Sequence, residues 1–129
     1  MTHPNAELLE RLFGAFGRDR SALAAAFADD AVWRVTGANR MTGEYRGREA
    51  ILEFLRETAV LTNGTYRAEL RYAVADDERA VAVYRASGER DGRTIDIDQL
   101  LLFTIDGGLV TEVLALPSDP VTFDAFWAR

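Results

Sequence analysis

With 129 residues, 48% of them hydrophobic, the chain can bury a real core and reads as one globular domain, spanning residues 1–129. Its formal charge of −6 argues against a nucleic-acid binder, which needs a basic face, and no apolar run approaches the roughly 20 residues that span a bilayer. With no cysteine, and a single histidine (His3) in a segment expected to fray, no disulfide, thiolate or histidine metal site is expected.

The N-terminus, MTHPNAELLERLF, lacks a basic region followed by an apolar one, so no signal peptide is expected and a cytoplasmic location fits. A first helix is predicted over about Ala6–Phe16. Leu8, Leu9, Leu12, Phe13 and Phe16 recur at helical spacing there. Gly17 ends it, and Asp19 or Ser21 caps a short second helix that runs to about Phe27 and closes on Asp29-Asp30. Val32, Trp33 and Val35 favour a strand over Ala31–Val35. A Gly-rich turn leads to Glu44-Tyr45-Arg46-Gly47. A third helix follows over about Arg48–Leu61 and is stopped by Asn63-Gly64. The second half reads as a meander, with strands near Tyr66–Ala75, Ala80–Gly88, Thr94–Ile105 and Leu109–Leu116. Helices first and strands afterwards make an α+β class.

Asp91-Gly92 suits a two-residue type I′ turn, because both residues tolerate positive φ. Pairing outward from it sets Ser87 opposite Asp96, Arg85 opposite Asp98, Tyr84 opposite Gln99 and Val83 opposite Leu100. Opposed residues share a face. One face then carries Ala82, Tyr84, Ala86, Ile95, Ile97, Gln99, Leu101 and Phe103, which is the composition of a greasy pocket with few orienting groups. The bland reading is that Tyr84 and Gln99 satisfy each other in a closed core. The other face pairs Arg85 with Asp98 among Val81, Val83, Leu100 and Leu102. A register shifted by one residue would exchange the faces and bring Asp96 and Asp98 inward. Glu112 points inward after a two-residue turn at Asp106-Gly107 or Gly107-Gly108, and outward after a three-residue turn with a bulge. The outward placement avoids burying a carboxylate beside Leu101 and Leu114. The acidic clusters Asp29-Asp30 and Asp76-Asp77-Glu78 are expected to be solvated rather than metal-binding.

The run from Phe27 to Leu55, FADDAVWRVTGANRMTGEYRGREAILEFL, resembles the nuclear transport factor 2-like superfamily, and within it the SnoaL-like group that includes ketosteroid isomerase and polyketide cyclases. The resemblance covers nearly the whole chain. It implies a cone: a curved mixed or antiparallel sheet wrapped around the N-terminal helices, with one small-molecule pocket and dimerisation through the outer sheet face. It also implies three catalytic positions of the isomerase, and none is retained. The general base aligns with Val35, the phenol aligns near Arg11 with Phe13 as the nearby ring, and the second acid aligns with Gln99. Without a base that isomerisation is not expected. Epoxide-hydrolase relatives use an Asp-Arg-Asp arrangement, which Arg85 and Asp98 mimic in part, outside the cone.

The expected function is therefore that of a pocket protein for a small hydrophobic or polyketide-like metabolite, working without a cofactor or metal. Tyr84 and Gln99 are the candidate catalytic residues. Phe16, Trp33, Val35, Phe54, Ile97 and Leu101 are the candidate ligand-binding wall. An enzyme of cyclase, isomerase, dehydratase or hydrolase type and a ligand binder without turnover both fit. The expected partner besides the metabolite is a second copy of the chain.

Overall fold

The computed structural model describes residues 2–129. Helix α1 (Pro4–Ala15) begins where a helix should: Pro4 occupies the first turn, and His3 Nδ1 accepts from the Asn5 N–H at 3.0 Å. The expectation that His3 frays is therefore corrected. Its ring caps α1, and its Nε2 sits 3.0 Å from Asp77 Oδ1 in the loop after β3 (Arg67–Ala75). Leu8, Leu9, Leu12 and Ala15 form the buried stripe. Asp19 caps α2 (Arg20–Ala25) by accepting from the Ala22 N–H at 3.0 Å.

Strand β1 (Phe27–Val35) starts four residues before its predicted start, so Asp29-Asp30 lies inside the strand and not at a helix end. The cause is tertiary. The Val110 N–H donates to Ala26 O at 2.8 Å, and the Phe27 side chain is wholly buried, which fixes this stretch in the sheet. The ladder is irregular between Phe27 and Val32, and both consecutive aspartates face water there. The turn predicted before Gly47 contains a short edge strand, β2 (Gly43–Arg46), paired antiparallel with β1. Gly47 has φ +92°, and its N–H donates to Ala31 O at 2.7 Å. That geometry hands the chain into α3 (Arg48–Leu61), whose bounds match the prediction.

The remaining strands are β3, β4 (Arg79–Arg90), β5 (Arg93–Asp106) and β6 (Leu109–Pro117). Asp91 and Gly92 have φ of +50° and +77°, and the β4–β5 register is the one derived from that turn: Tyr84 opposite Gln99, Arg85 opposite Asp98. The sheet order is β2-β1-β6-β5-β4-β3. Only the β1–β6 pairing is parallel, so the sheet is mixed, and it curves without closing. A further helix, α4 (Pro120–Phe126), was not anticipated. Asp119 accepts from the Thr122 N–H at 3.1 Å with Pro120 in the first turn, and Phe123, Phe126 and Trp127 are buried at helical spacing.

The helices and the inner face of the sheet share one core. The outer face carries Val81, Val83, Leu100 and Leu102, all partly exposed, with Tyr72 58% and Val74 57% exposed beside them. Among the described residues no helix is long and apolar enough to cross a membrane.

Candidate functional site

Inside the cone, between the sheet and the helices, lies a cavity of about 60 Å³. Its walls come from every part of the chain. Helix α1 contributes Leu12 and Phe13, with Phe16 just after it. Strand β1 gives Trp33 and Val35, and the segment before β2 gives Met41. Helix α3 adds Phe54, Leu55 and Thr58, while Phe123 and Trp127 close the side nearest α4. The polar heads sit on the sheet: Tyr66 just before β3, Tyr84 on β4 and Gln99 on β5. Among the described residues no carboxylate, histidine or basic side chain lines the cavity.

The sheet explains why Tyr84 and Gln99 meet. They are directly opposed across β4 and β5, on the face that alternation turns inward. Gln99 Nε2 donates to the Tyr84 hydroxyl at 2.9 Å. The bland reading is thus half right, since one bond does join them. Yet they border a space, and Gln99 Oε1 is buried without a partner. Trp33 Nε1 is likewise buried without a partner. Tyr66 lies beside both polar residues and edge-on to Phe16, with ring centroids 6.4 Å apart. Burial pushes the Tyr66 hydroxyl up to about 12, against smaller lowering effects from Tyr84 and Gln99. Burial first, and then the proximity of Tyr66, holds Tyr84 well above the usual phenol range, with Gln99 offsetting part of the rise. Both phenols are therefore neutral at physiological pH and act as hydrogen-bonding groups, not as bases.

Of the predicted wall, Phe16, Trp33, Val35, Phe54 and Leu101 line the cavity. Ile97 does not. It is on the same face, opposite Ala86, but packs against the core towards the Asp91 turn and is only partly buried. Sequence reasoning passed over Tyr66, Met41 and the α4 residues. Tyr66 looked like a strand start, and Met41 looked like part of a turn. The Ser-Asp-Pro run before Val121 was a usable helix-start signal.

The other candidate acids lie outside. Arg85 Nε donates to Asp96 Oδ1 at 2.8 Å and Arg85 Nη1 to Asp98 Oδ1 at 3.3 Å, all on the outer face, so the Asp-Arg-Asp resemblance faces away from the cavity. Glu112 is outside too, by a route not foreseen. The turn is the two-residue Gly107-Gly108, which alone would point it inward. A bulge around Thr111 then shifts the register and sets Glu112 opposite Thr104, 3.5 Å from Arg34. Among the described residues no cluster of three or more acids and histidines could hold a metal ion.

The loop before β2 is tied to α4. Asp124 Oδ1 accepts from Asn39 Nδ2 at 2.7 Å and from the Ala38 N–H at 3.2 Å. Asn39 Oδ1 in turn accepts from the Met41 N–H at 2.7 Å, which sets Met41 into the cavity wall. Beyond Met41 and Phe54 a second, more polar hollow of about 340 Å³ is bordered by Arg40, Tyr45, Glu57 and Arg129.

A model of the SnoaL-like domain matches residues 9–113. The chain belongs to the SnoaL-like family. The chain is also similar to an uncharacterised protein of Mycobacterium tuberculosis, 32% identical over 124 residues and covering 95% of each chain. Among solved structures, this SnoaL-like protein is similar to Bal32a, from a soil-derived mobile gene cassette, with 30% identity, a TM-score of 0.92 and 96% of each chain covered. It is also similar to a Sinorhizobium meliloti protein named as a candidate polyketide cyclase, with 25% identity and a TM-score of 0.70 over 84% of this chain and 93% of that one. The nuclear transport factor 2-like cone expected from the SnoaL-like resemblance is the fold found. Family membership supports a small-molecule enzyme or binder that works without a cofactor.

Proposed function

We propose that the protein is a cofactor-independent enzyme of the cyclase, isomerase, dehydratase or hydrolase type, acting on a small hydrophobic or polyketide-like metabolite held in the cone. One observation carries the reading. A buried Tyr66–Tyr84–Gln99 group faces a space whose walls are apolar apart from Thr58 and the Trp33 indole N–H. Neutral phenols in such surroundings are suited to holding a substrate carbonyl or hydroxyl and stabilising charge that builds on its oxygen. The lining supplies no carboxylate or imidazole base, so proton removal falls to water or to a group on the substrate itself. The space of about 60 Å³ is well below the roughly 300–1,000 Å³ of common ligand sites, so a ligand larger than one ring has to displace flexible wall residues such as Met41.

The uncharged lining also favours a second reading, in which the protein binds its ligand and does not convert it. We propose further that two copies associate through the outer sheet face, whose apolar residues no helix covers.

Both tryptophans of the chain line the cavity, so intrinsic tryptophan fluorescence reports on the site. Titration with a panel of polyketide-like aromatic ketones is expected to quench it, and at least one member is expected to be converted. Tyr84→Phe should then lower kcat about a hundredfold with little change in KM. Binding without conversion of any member supports the second reading, and no binding at all ends both.

A further inference from the structure

Two polar atoms in the cavity wall have no hydrogen-bond partner: the indole N–H of Trp33, a donor, and the side-chain oxygen of Gln99, an acceptor. Their residues are only 5% and 4% exposed. A buried polar atom left unpaired is costly, and native proteins keep few of them. Two of the other cavity-facing polar groups are engaged, and the Tyr66 hydroxyl lies beside Tyr84 and Gln99. Thr58 Oγ1 donates to Leu55 O at 2.6 Å, and the Tyr84 hydroxyl receives Gln99 Nε2.

The two residues also sit far apart on the sheet. Trp33 pairs with Val113, and Val113 pairs with Phe103 on β5. Gln99 is four residues before Phe103 on that strand, about 13 Å along it, and Trp33 is two strands across, about 10 Å.

We infer that the site selects a ligand with a hydrogen-bond acceptor at one end, received by Trp33 Nε1–H, and a hydroxyl at the other, donated to Gln99 Oε1. The chemical class is a compact apolar ring bearing a carbonyl and a remote hydroxyl. The inference rests on the reading of the cavity as a small-molecule site, and it makes Trp33 and Gln99 the residues that determine specificity.

Four one-ring probes isolate the two groups: 4-hydroxyacetophenone carries both, acetophenone only the carbonyl, 4-ethylphenol only the hydroxyl, and ethylbenzene neither. Affinities are measured by calorimetry, and the two indole N–H signals are followed by two-dimensional NMR, with Trp33→Phe assigning the Trp33 signal. Each group is expected to tighten binding about three- to tenfold, with 4-hydroxyacetophenone tightest. The Trp33 indole proton is expected to move downfield with the two ketones and to stay in place with 4-ethylphenol. In Gln99→Met the advantage of the hydroxyl disappears while that of the carbonyl survives, and in Trp33→Phe the reverse holds. The wild-type panel and its indole shifts decide the matter even where a variant folds poorly. If all four probes bind alike, or the Trp33 signal is indifferent to the carbonyl, the inference is overturned and the cavity remains a small-molecule site. If none binds, ethylbenzene included, the reading of the cavity falls and the inference falls with it.

Discussion

Replacing Tyr84 by Phe removes one oxygen from the interior and leaves the ring, its packing and its 5.2 Å contact with Phe13 intact. The consequence is set by Gln99, whose Nε2 then loses its acceptor while Oε1 already lacks a donor. A buried amide with neither end paired costs the desolvation of that group, about 1–3 kcal/mol, on top of the modest net value of the lost bond. The expected destabilisation is about 1–3 kcal/mol, and each kcal/mol lowers the midpoint of thermal unfolding by about 3–6 °C for a domain of this size. Gln99→Met removes the amide altogether, so adding Tyr84→Phe to it creates no new orphan. The double variant should therefore be more stable than the sum of the two single effects predicts, by about 1–2 kcal/mol. Urea denaturation of the four proteins at neutral pH measures this directly. Strict additivity, or a Tyr84→Phe variant as stable as the wild type, would refute the claim that these two side chains are coupled inside the cavity.

Other outcomes follow from the same geometry. The Tyr66 hydroxyl has an ordinary value of 10.0 and is pushed up to about 12 in the folded chain, so folding favours its neutral form; the stability this provides is complete below pH 10 and is lost as pH rises towards about 12. Denaturation midpoints across that alkaline window should fall less steeply in Tyr66→Phe than in the wild type. Asp98→Ala should leave ligand binding intact and change folding little, because Arg85 keeps its shorter bond to Asp96; lost binding with unchanged stability would contradict the outer placement. Leu102→Lys should convert a dimer into a monomer by light scattering, and a wild type already monomeric at micromolar concentration would remove the proposed interface. Gly37→Ala should be destabilising by more than about 1 kcal/mol, since φ there is +99° and a methyl group would come within 2.5 Å of Asp124 Oδ1.

Local chemistry made some of the fold legible. Asp91-Gly92 has only one economical turn, and from it the register, the facing of Tyr84 and Gln99, and the outward position of Arg85 all follow. The capping Asp19 placed α2, and Gly47 and Asn63-Gly64 bounded α3. What escaped was decided by partners distant in sequence. The early start of β1 depends on β6, and β2 is an edge strand because β1 lies beside it. Glu112 faces water because of a bulge that no turn residue announces. The site divides along the same line. Its polar pair came from alternation within one hairpin, whereas Met41, Phe123 and Trp127 reach it through a loop and helix held together by Asn39 and Asp124.

The parallel pairing of β1 with β6 bears on how the molecule assembles in time. Strands β3 to β6 are joined by tight hairpins, so each pairing needs only a short loop to close, an event of microseconds. The β1–β6 pairing joins Trp33 to Val113 and must wait for most of the intervening chain to be collected, the kind of contact that slows folding. Tyr84 and Gln99 thus come together early, on a half-formed sheet open to water. Trp33 and Val35 are expected to arrive later and to extend the lining from the far side of β6. During folding the apolar inner face of the meander is expected to stand uncovered until α1 and α4 pack on it, the interval in which the chain is most exposed to aggregation.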